Sequence, residues 1–170
     1  MQGERAVAFR SEILIKLDKK GRVLLPAAFR DELPADDRNA FVLYHSPNLT
    51  GVVNGNSRRG FDAMLDRLRS EALGPKGSLK VALDDEAFDP AGYLSASART
   101  ISMEPDGRFS LPAEFAEVID VSDGVVLAGK GEKFQLWNPA RWQARREVDR
   151  AKMAAFVRGL GGSDSGGGDA

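Results

Sequence analysis

Hydrophobic and polar residues follow the same order twice along the chain. Each time, a short strand-like segment precedes a polar turn, a second one follows the turn, and a proline leads into a helical pattern. The two copies extend over residues 16–30 and 102–116. At one constant offset they share the identical pairs Gly21/Gly107, Arg22/Arg108, Leu25/Leu111, Pro26/Pro112, Ala27/Ala113 and Phe29/Phe115. Chance rarely produces such agreement over so short a window, so the pattern indicates an internal duplication.

The polar segment of each copy predicts a tight turn between two strands. In copy one, Asp18 can accept hydrogen bonds from the backbone ahead of it and Gly21 can adopt a positive φ, which is typical of a type I turn. In copy two, Glu104 stands in place of the aspartate, Pro105 pre-sets φ, and Gly107 keeps its position. The predicted strands are 13–17 and 22–25 in copy one and 99–103 and 108–111 in copy two. Short helices are predicted at 27–33 and 113–119.

The pattern outside the turns predicts further elements. These are an apolar strand at 41–44, a last weak strand at 51–54, an amphipathic helix at 61–73, a strand pair at 125–128 and 133–137, and a basic helix from Pro139 to about Leu160. The segment 74–77 predicts a link between the halves, and the less regular stretch after it predicts a short strand and a helix around 87–94.

We therefore divide the chain by its pattern into five parts. The parts are a first repeat at 12–57, a helical connector at 58–96, a second repeat at 97–142, a C-terminal helix at 143–160, and a Gly- and Ser-rich tail at 161–170 that we expect to be disordered. Before the first repeat, residues 1–10 are predicted to be a short arm.

Composition excludes several classes of protein. The chain has 170 residues, of which 42% are hydrophobic, and this is enough to bury a core. It has no cysteine, which excludes disulfides, thiol catalysis and Cys-ligated zinc, and its single histidine, His45, is a poor nucleus for a metal site. No phosphate-binding loop or dinucleotide fingerprint is present. We predict no cofactor, no metal and no small-molecule substrate, and the absence of a signal peptide or membrane-spanning run predicts a cytoplasmic protein.

The net charge of −1 is unevenly distributed. Residues 1–30 carry seven basic and three acidic side chains, a net of +4. Residues 84–106 carry six acidic side chains and one arginine, a net of −5, and the net returns to +4 over residues 141–158. Copy one is therefore predicted to attract a polyanion more strongly than copy two.

A D-x-x-G-R turn between two strands, followed by a hydrophobic-Pro-Ala step into a short helix, resembles the MraZ family of AbrB-like (SpoVT-AbrB, swapped-hairpin) transcription regulators. The arrangement is present twice, and copy two departs from the family in having Glu104 in place of the aspartate. The resemblance covers most of residues 12–142, and the segment 134–142, FQLWNPARW, supports it. It implies an α+β fold in which two tandem AbrB-like repeats interlock as an intramolecular pseudo-dimer β-barrel with peripheral helices. In copy one, 51–55 departs from the Phe-x-Leu-Trp pattern of the family's fourth strand.

The resemblance also implies a function. Family members lack catalytic activity, associate with the nucleoid, and assemble into ring-like oligomers. The implied role is sequence-specific binding to double-stranded DNA upstream of the protein's own operon, with regulation of the cell-division and cell-wall gene cluster.

Basic side chains at the turns are the candidate DNA contacts. Arg22 and Arg108 each follow a turn glycine, and a guanidinium can bind phosphates or bond a guanine edge in two places. Beside the first arginine, Lys16, Lys19 and Lys20 add charge that suits phosphate. Asp18, Gly21, Glu104 and Gly107 are predicted to form the turns.

Two other functional classes remain open from the sequence. One is a structural or protein-binding oligomeric scaffold, in which the acidic second half contacts protein. The other is an antitoxin-type AbrB regulator, which the duplication disfavours because such proteins usually carry one copy. An enzyme is the least favoured class.

Overall fold

The structure is a computed structural model that describes residues 6–162 of the chain. The first five residues of the predicted arm, and the predicted disordered tail beyond Gly162, lie outside the described residues. The described elements are β1 (Glu12–Lys16), β2 (Arg22–Leu24), α1 (Ala27–Arg30), β3 (Ala40–His45), β4 (Val52–Asn56), α2 (Arg58–Leu83), α3 (Pro90–Ser97), β5 (Arg99–Ser102), β6 (Arg108–Ser110), α4 (Ala113–Ile119), β7 (Gly124–Gly129), β8 (Phe134–Trp137) and α5 (Pro139–Gly162).

The chain divides into two compact units, one ending at Asn138 and one beginning at Pro139. All eight described strands lie in the first unit, and α5 makes up the described part of the second. The fold is α+β, as predicted. No helix in the described range is long and apolar enough to cross a membrane.

The strands form one six-stranded antiparallel sheet and one two-stranded sheet. The order in the larger sheet is β1-β7-β8-β4-β3-β5, and the smaller sheet is β2-β6. Residues 12–57 contain β1 to β4 and residues 97–142 contain β5 to β8. From here on, copy one and copy two denote these longer segments around the two turns. Every strand of copy one therefore pairs with a strand of copy two: β1 with β7, β2 with β6, β3 with β5 and β4 with β8.

The pairing corrects two predictions. Both turns are present, with Gly21 N donating to Asp18 O and Gly107 N donating to Glu104 O, but the strands beside each turn do not pair with each other. Pairing β2 with β6 places Val23 opposite Phe109, and this buries both side chains. The described strands also do not close into a barrel, because β1 and β5 are the open edges of the larger sheet.

The weak last strand predicted at 51–54 in copy one is observed as β4, and it lies in the middle of the large sheet. All five of its residues are buried, and it pairs with both β3 and β8. Gly55 lies opposite Phe134, whose ring fills the space that a side chain at position 55 would need. Asn54 accepts a hydrogen bond from Gln135 Nε2 at 3.0 Å. The strand can be polar and glycine-containing because its neighbour supplies the missing bulk and hydrogen bonds.

Two hydrophobic clusters hold the first unit together. The larger contains a group of rings, Phe9, Phe29, Phe41 and Phe134, with neighbouring centroids 5.1–5.8 Å apart. Phe9 belongs to the predicted arm, yet it is buried and its N–H donates to Gly131 O at 2.7 Å. The smaller cluster joins α2 and α3 to the sheet through Val42, Tyr44, Phe61, Leu65, Ala91 and Leu94.

The helices differ from prediction mainly at the link between the halves. The predicted break at 74–77 is a kink inside α2, which continues to Leu83. Pro75 disfavours helical backbone at the residue before it, and Gly74 accordingly takes φ 61° and ψ −177°. The predicted helix at 87–94 is observed as α3, and no strand forms between α2 and α3.

The other helices agree more closely. The α4 bounds match the prediction, whereas α1 ends at Arg30 and is followed only by tight turns such as Leu33 N to Arg30 O.

Candidate functional site

The two-stranded sheet sets both candidate arginines on one face. Side chains alternate between faces along a strand, so the burial of Val23 and Phe109 turns their neighbours the other way. Arg22 lies opposite Ser110, and Arg108 lies opposite Leu24. The side chain of Arg22 is 24% exposed and that of Arg108 is 45% exposed. The face of β2 and β6 away from the core therefore presents two guanidinium groups.

Asp18 holds the first turn by its carboxylate. Its Oδ1 accepts the backbone N–H groups of Lys20 at 2.9 Å and Arg22 at 2.8 Å, and its Oδ2 accepts Arg22 Nε at 2.7 Å. The Arg22 backbone N–H is the main cause that lowers the pKa of Asp18, with help from the Arg22 side chain and against a smaller opposing effect of burial. Asp18, the residue that forms the turn, thus also holds Arg22 Nε in place.

The second turn is held by a different residue. Glu104 contributes its backbone carbonyl, which accepts Gly107 N at 2.9 Å, while the carboxylate that closes the turn belongs to Asp106. Asp106 Oδ1 accepts Arg108 N at 3.0 Å, and its Oδ2 forms an ion pair with Arg108 Nη1. The Arg108 backbone N–H is the main cause that lowers the pKa of Asp106.

The carboxylate of Glu104 instead reaches the other copy. Its Oε1 accepts a hydrogen bond from Arg22 Nη1 at 2.7 Å. Arg22 is therefore held by Asp18 from its own turn and by Glu104 from the second, and hydrogen bonds to these two carboxylates raise its pKa. The backbone of Glu104 lies beside Arg108, with Glu104 N donating to Arg108 O at 2.8 Å, but its carboxylate reaches Arg22 because the two copies pair with each other.

The three candidate lysines remain exposed around the first turn. Lys16 ends β1, and Lys19 and Lys20 occupy the turn itself. Within residues 6–162 none of the three forms an ion pair. At the corresponding positions of copy two stand Pro105 and Asp106 in place of the turn lysines. The first turn is therefore the more positive of the two, even with Glu104 on Arg22.

Arg30 is a basic residue at the site that the sequence did not single out. It lies in α1 of copy one, but its side chain packs against the second turn, where a Cβ on Gly107 would lie 2.7 Å from its Nε. Its Nε donates to Leu25 O at 3.0 Å, and Leu25 N in turn donates to Gly107 O. The charge of Arg30 was visible in the sequence, but its position depends on the pairing of the two copies.

Comparison with known proteins places the chain in a family. A family model described as "MraZ protein, putative antitoxin-like" matches residues 94–156. "Transcriptional regulator MraZ" of Ruegeria pomeroyi is 32% identical over 159 residues, covering 86% of this chain and 83% of the relative. The chain belongs to the MraZ family. Proteins of the same name from Gluconacetobacter diazotrophicus and Parvibaculum lavamentivorans are 31% and 29% identical and cover 91% and 88% of this chain.

Membership of the MraZ family decides how the carboxylates of the site are interpreted. The MraZ family is one of transcriptional regulators and not of enzymes. The bonds of Asp18 and Asp106 to the backbone of their own turns agree with this, because a carboxylate so engaged shapes a loop and orients an arginine. The match of the MraZ model to residues 94–156 includes the second turn, while the relatives extend the similarity over copy one.

Proposed function

We propose that this MraZ protein regulates transcription by binding double-stranded DNA through the exposed face of β2 and β6. The observation that carries the proposal is the pairing of β2 with β6, which sets Arg22 and Arg108 on one face of a two-stranded ribbon. The major groove of B-DNA is wide enough to admit such a ribbon. Guanidinium groups on the ribbon suit guanine edges and phosphates, and Lys16, Lys19 and Lys20 add charge that suits phosphates.

The cross-copy pairings support the finer architecture that we propose. Residues 12–57 and 97–142 are two AbrB-like repeats whose strands are exchanged between the copies within one chain. Residues 58–96 form a helical connector, and 143–160 belong to a C-terminal helix. In this arrangement the ribbon of β2 and β6 is built jointly, so that neither repeat alone would present both arginines.

The biological role follows from the family. The relatives are named transcriptional regulators, and we propose that this chain acts in the cytoplasm, associated with the nucleoid, on the DNA upstream of its own operon and on the cell-division and cell-wall gene cluster. Each protein molecule presents one small basic face. A ring of copies on repeated short sites would bind by avidity, because the second and later contacts are intramolecular.

A salt titration tests the proposal. Binding to a duplex from upstream of the gene and to a mixed-sequence duplex is measured over a series of salt concentrations. We expect a steep linear fall of log affinity with log salt and tighter binding to the upstream duplex, because phosphate contacts release counterions. A scaffold that binds only protein would show no DNA binding, and this result would remove the proposal.

A matched pair of variants locates the DNA-binding surface. Lys19→Gln combined with Lys20→Gln removes two charges from the first turn, and Lys76→Gln combined with Lys80→Gln removes two exposed charges from α2. The turn variant should reduce the salt slope by about 0.9 for each phosphate that the protein no longer neutralises. The α2 variant should leave the slope unchanged. Equal slopes in the two variants would move the interface away from the turns.

A further inference from the structure

The two turns are held by carboxylates at different positions. In copy one a single carboxylate, that of Asp18, bonds both the backbone of the turn and the arginine. In copy two the corresponding residue is Glu104, and the backbone of the turn is bonded by Asp106. The side chain of Glu104 is therefore not needed to hold its own turn.

Glu104 instead uses its carboxylate on the principal candidate for DNA contact. Its Oε1 lies 2.7 Å from Arg22 Nη1, and its side chain is 51% exposed. The Arg22 Nε is already bonded to Asp18 at 2.7 Å. The two carboxylates thus neutralise a single guanidinium on the face proposed for DNA.

We propose that Glu104 is an internal competitor of DNA for Arg22. The proposal rests on the DNA-binding function proposed above. A phosphate that replaces Glu104 on Arg22 exchanges one charge-assisted hydrogen bond for another and gains little. A guanine edge that binds Arg22 must displace Glu104 in the same way. Glu104 therefore lowers affinity for DNA of any sequence.

The exposure of the ion pair makes such an exchange feasible. An ion pair between exposed side chains is worth little in water, and one half-exposed partner can leave without burying a charge. Asp18 is held more firmly because its other oxygen bonds two backbone N–H groups. Displacement by DNA should therefore release Glu104 and leave Asp18 in place to orient Arg22.

Glu104→Gln and Glu104→Asp test the proposal on the full-length protein. Glutamine removes the competing charge. Aspartate keeps the net charge, but it is shorter, and as in copy one it can bond the backbone of its own turn instead of reaching Arg22. We expect both to raise affinity for a mixed-sequence duplex by roughly two- to fivefold. A gain of similar size is expected on the upstream duplex, because the same bond is broken there.

Glu114→Gln is the matched control. Glu114 also pairs with an arginine, Arg99 Nε at 2.9 Å, and is similarly exposed. Its substitution changes the net charge by the same amount without touching Arg22. It should raise affinity less than Glu104→Gln. Melting temperature and sedimentation are measured for each variant. If Glu104→Gln does not fold, the result for Glu104→Asp alone tests the competition.

The outcomes separate the two proposals. If neither substitution at position 104 raises affinity for mixed DNA above that of the Glu114 control, while Arg22→Ala still weakens binding, competition by Glu104 is excluded and DNA binding through the turn stands. If Arg22→Ala also binds as the wild type does, the proposed interface itself is wrong.

Discussion

At the scale of single residues, both turns depend on an ionised aspartate. Asp18 and Asp106 each accept a backbone N–H two or four residues ahead and an arginine side chain. These bonds lower the pKa of both carboxyls below the ordinary value of 3.8. A carboxyl whose pKa is lower in the folded state stabilises that state above its unfolded pKa. The stabilisation is lost as the pH falls through the folded pKa.

Asp18→Asn should therefore lower the melting temperature at neutral pH, with a deficit that shrinks below about pH 4. The protonated aspartate of the wild type and the asparagine of the variant are then equally neutral. Thermal unfolding followed by circular dichroism between pH 7 and pH 3 measures the deficit. A deficit that stays constant over this range would show that the charge of Asp18 does not stabilise the turn.

The sequence predicted the turn residues better than the contacts that their side chains make. Asp18, Gly21 and Gly107 could be assigned to turns because local backbone chemistry requires them there. The bond from Arg22 to Glu104 and the packing of Arg30 on Gly107 could not be predicted, because they join residues far apart in the chain. Such contacts follow only once β2 is known to pair with β6.

At the scale of elements, β4 depends on a glycine opposite an aromatic ring. Gly55 and Phe134 are cross-strand partners, and the ring occupies the position that a side chain on residue 55 would take. Phe134 also contacts Phe9, Phe29 and Phe41, so it cannot move aside freely.

Gly55→Ala should destabilise the fold by about 1–3 kcal/mol, because overpacking a filled core forces neighbouring side chains out of place. Gly159→Ala is the control, since no atom lies near the added methyl group and alanine favours the helix. That change should stabilise slightly or be neutral. Urea unfolding of the two variants gives the comparison, and an unchanged midpoint for Gly55→Ala would contradict the packing described.

Periodicity predicted most helices and strands, and it was weakest at β4 and at the end of α2. The bounds of α4 followed from its proline, its apolar spacing and its length. For β4, glycine and two asparagines gave only a weak strand signal, because the sequence does not show that β8 supplies Phe134 and Gln135 as partners. The extension of α2 past Gly74 was missed since Pro75, which ends one helical segment, also suits the first turn of the next.

At the scale of the whole molecule, the distribution of apolar side chains bears on assembly. On α2 the apolar side chains Phe61 and Leu65 are buried in the smaller cluster. In α5 none of the residues is buried. Met153, Phe156 and Val157 are more than half exposed and lie on one side of the helix.

We expect the protein not to be a monomer, because copies of the chain can cover these side chains. Met153→Ser combined with Phe156→Ser should shift sedimentation at micromolar concentration toward the monomer. Ala151→Ser is the control, because residue 151 is exposed on the opposite side of α5. A wild-type protein that sediments only as a monomer would remove avidity from the proposed mechanism.

The comparison of Arg22→Ala with Arg108→Ala tests most directly whether the first turn is the principal DNA contact. Removing Arg22 leaves the carboxylates of Asp18 and Glu104, near Lys19 and Lys20, without their ion-pair partner. Removing Arg108 leaves only the carboxylate of Asp106 without its partner. The affinities of both variants for the same upstream duplex are measured by gel shift after their oligomer masses are shown to equal that of the wild type. Arg22→Ala should weaken binding on the order of tenfold or more, and Arg108→Ala clearly less. An equal or greater loss for Arg108→Ala would contradict this and would make the second turn the principal contact.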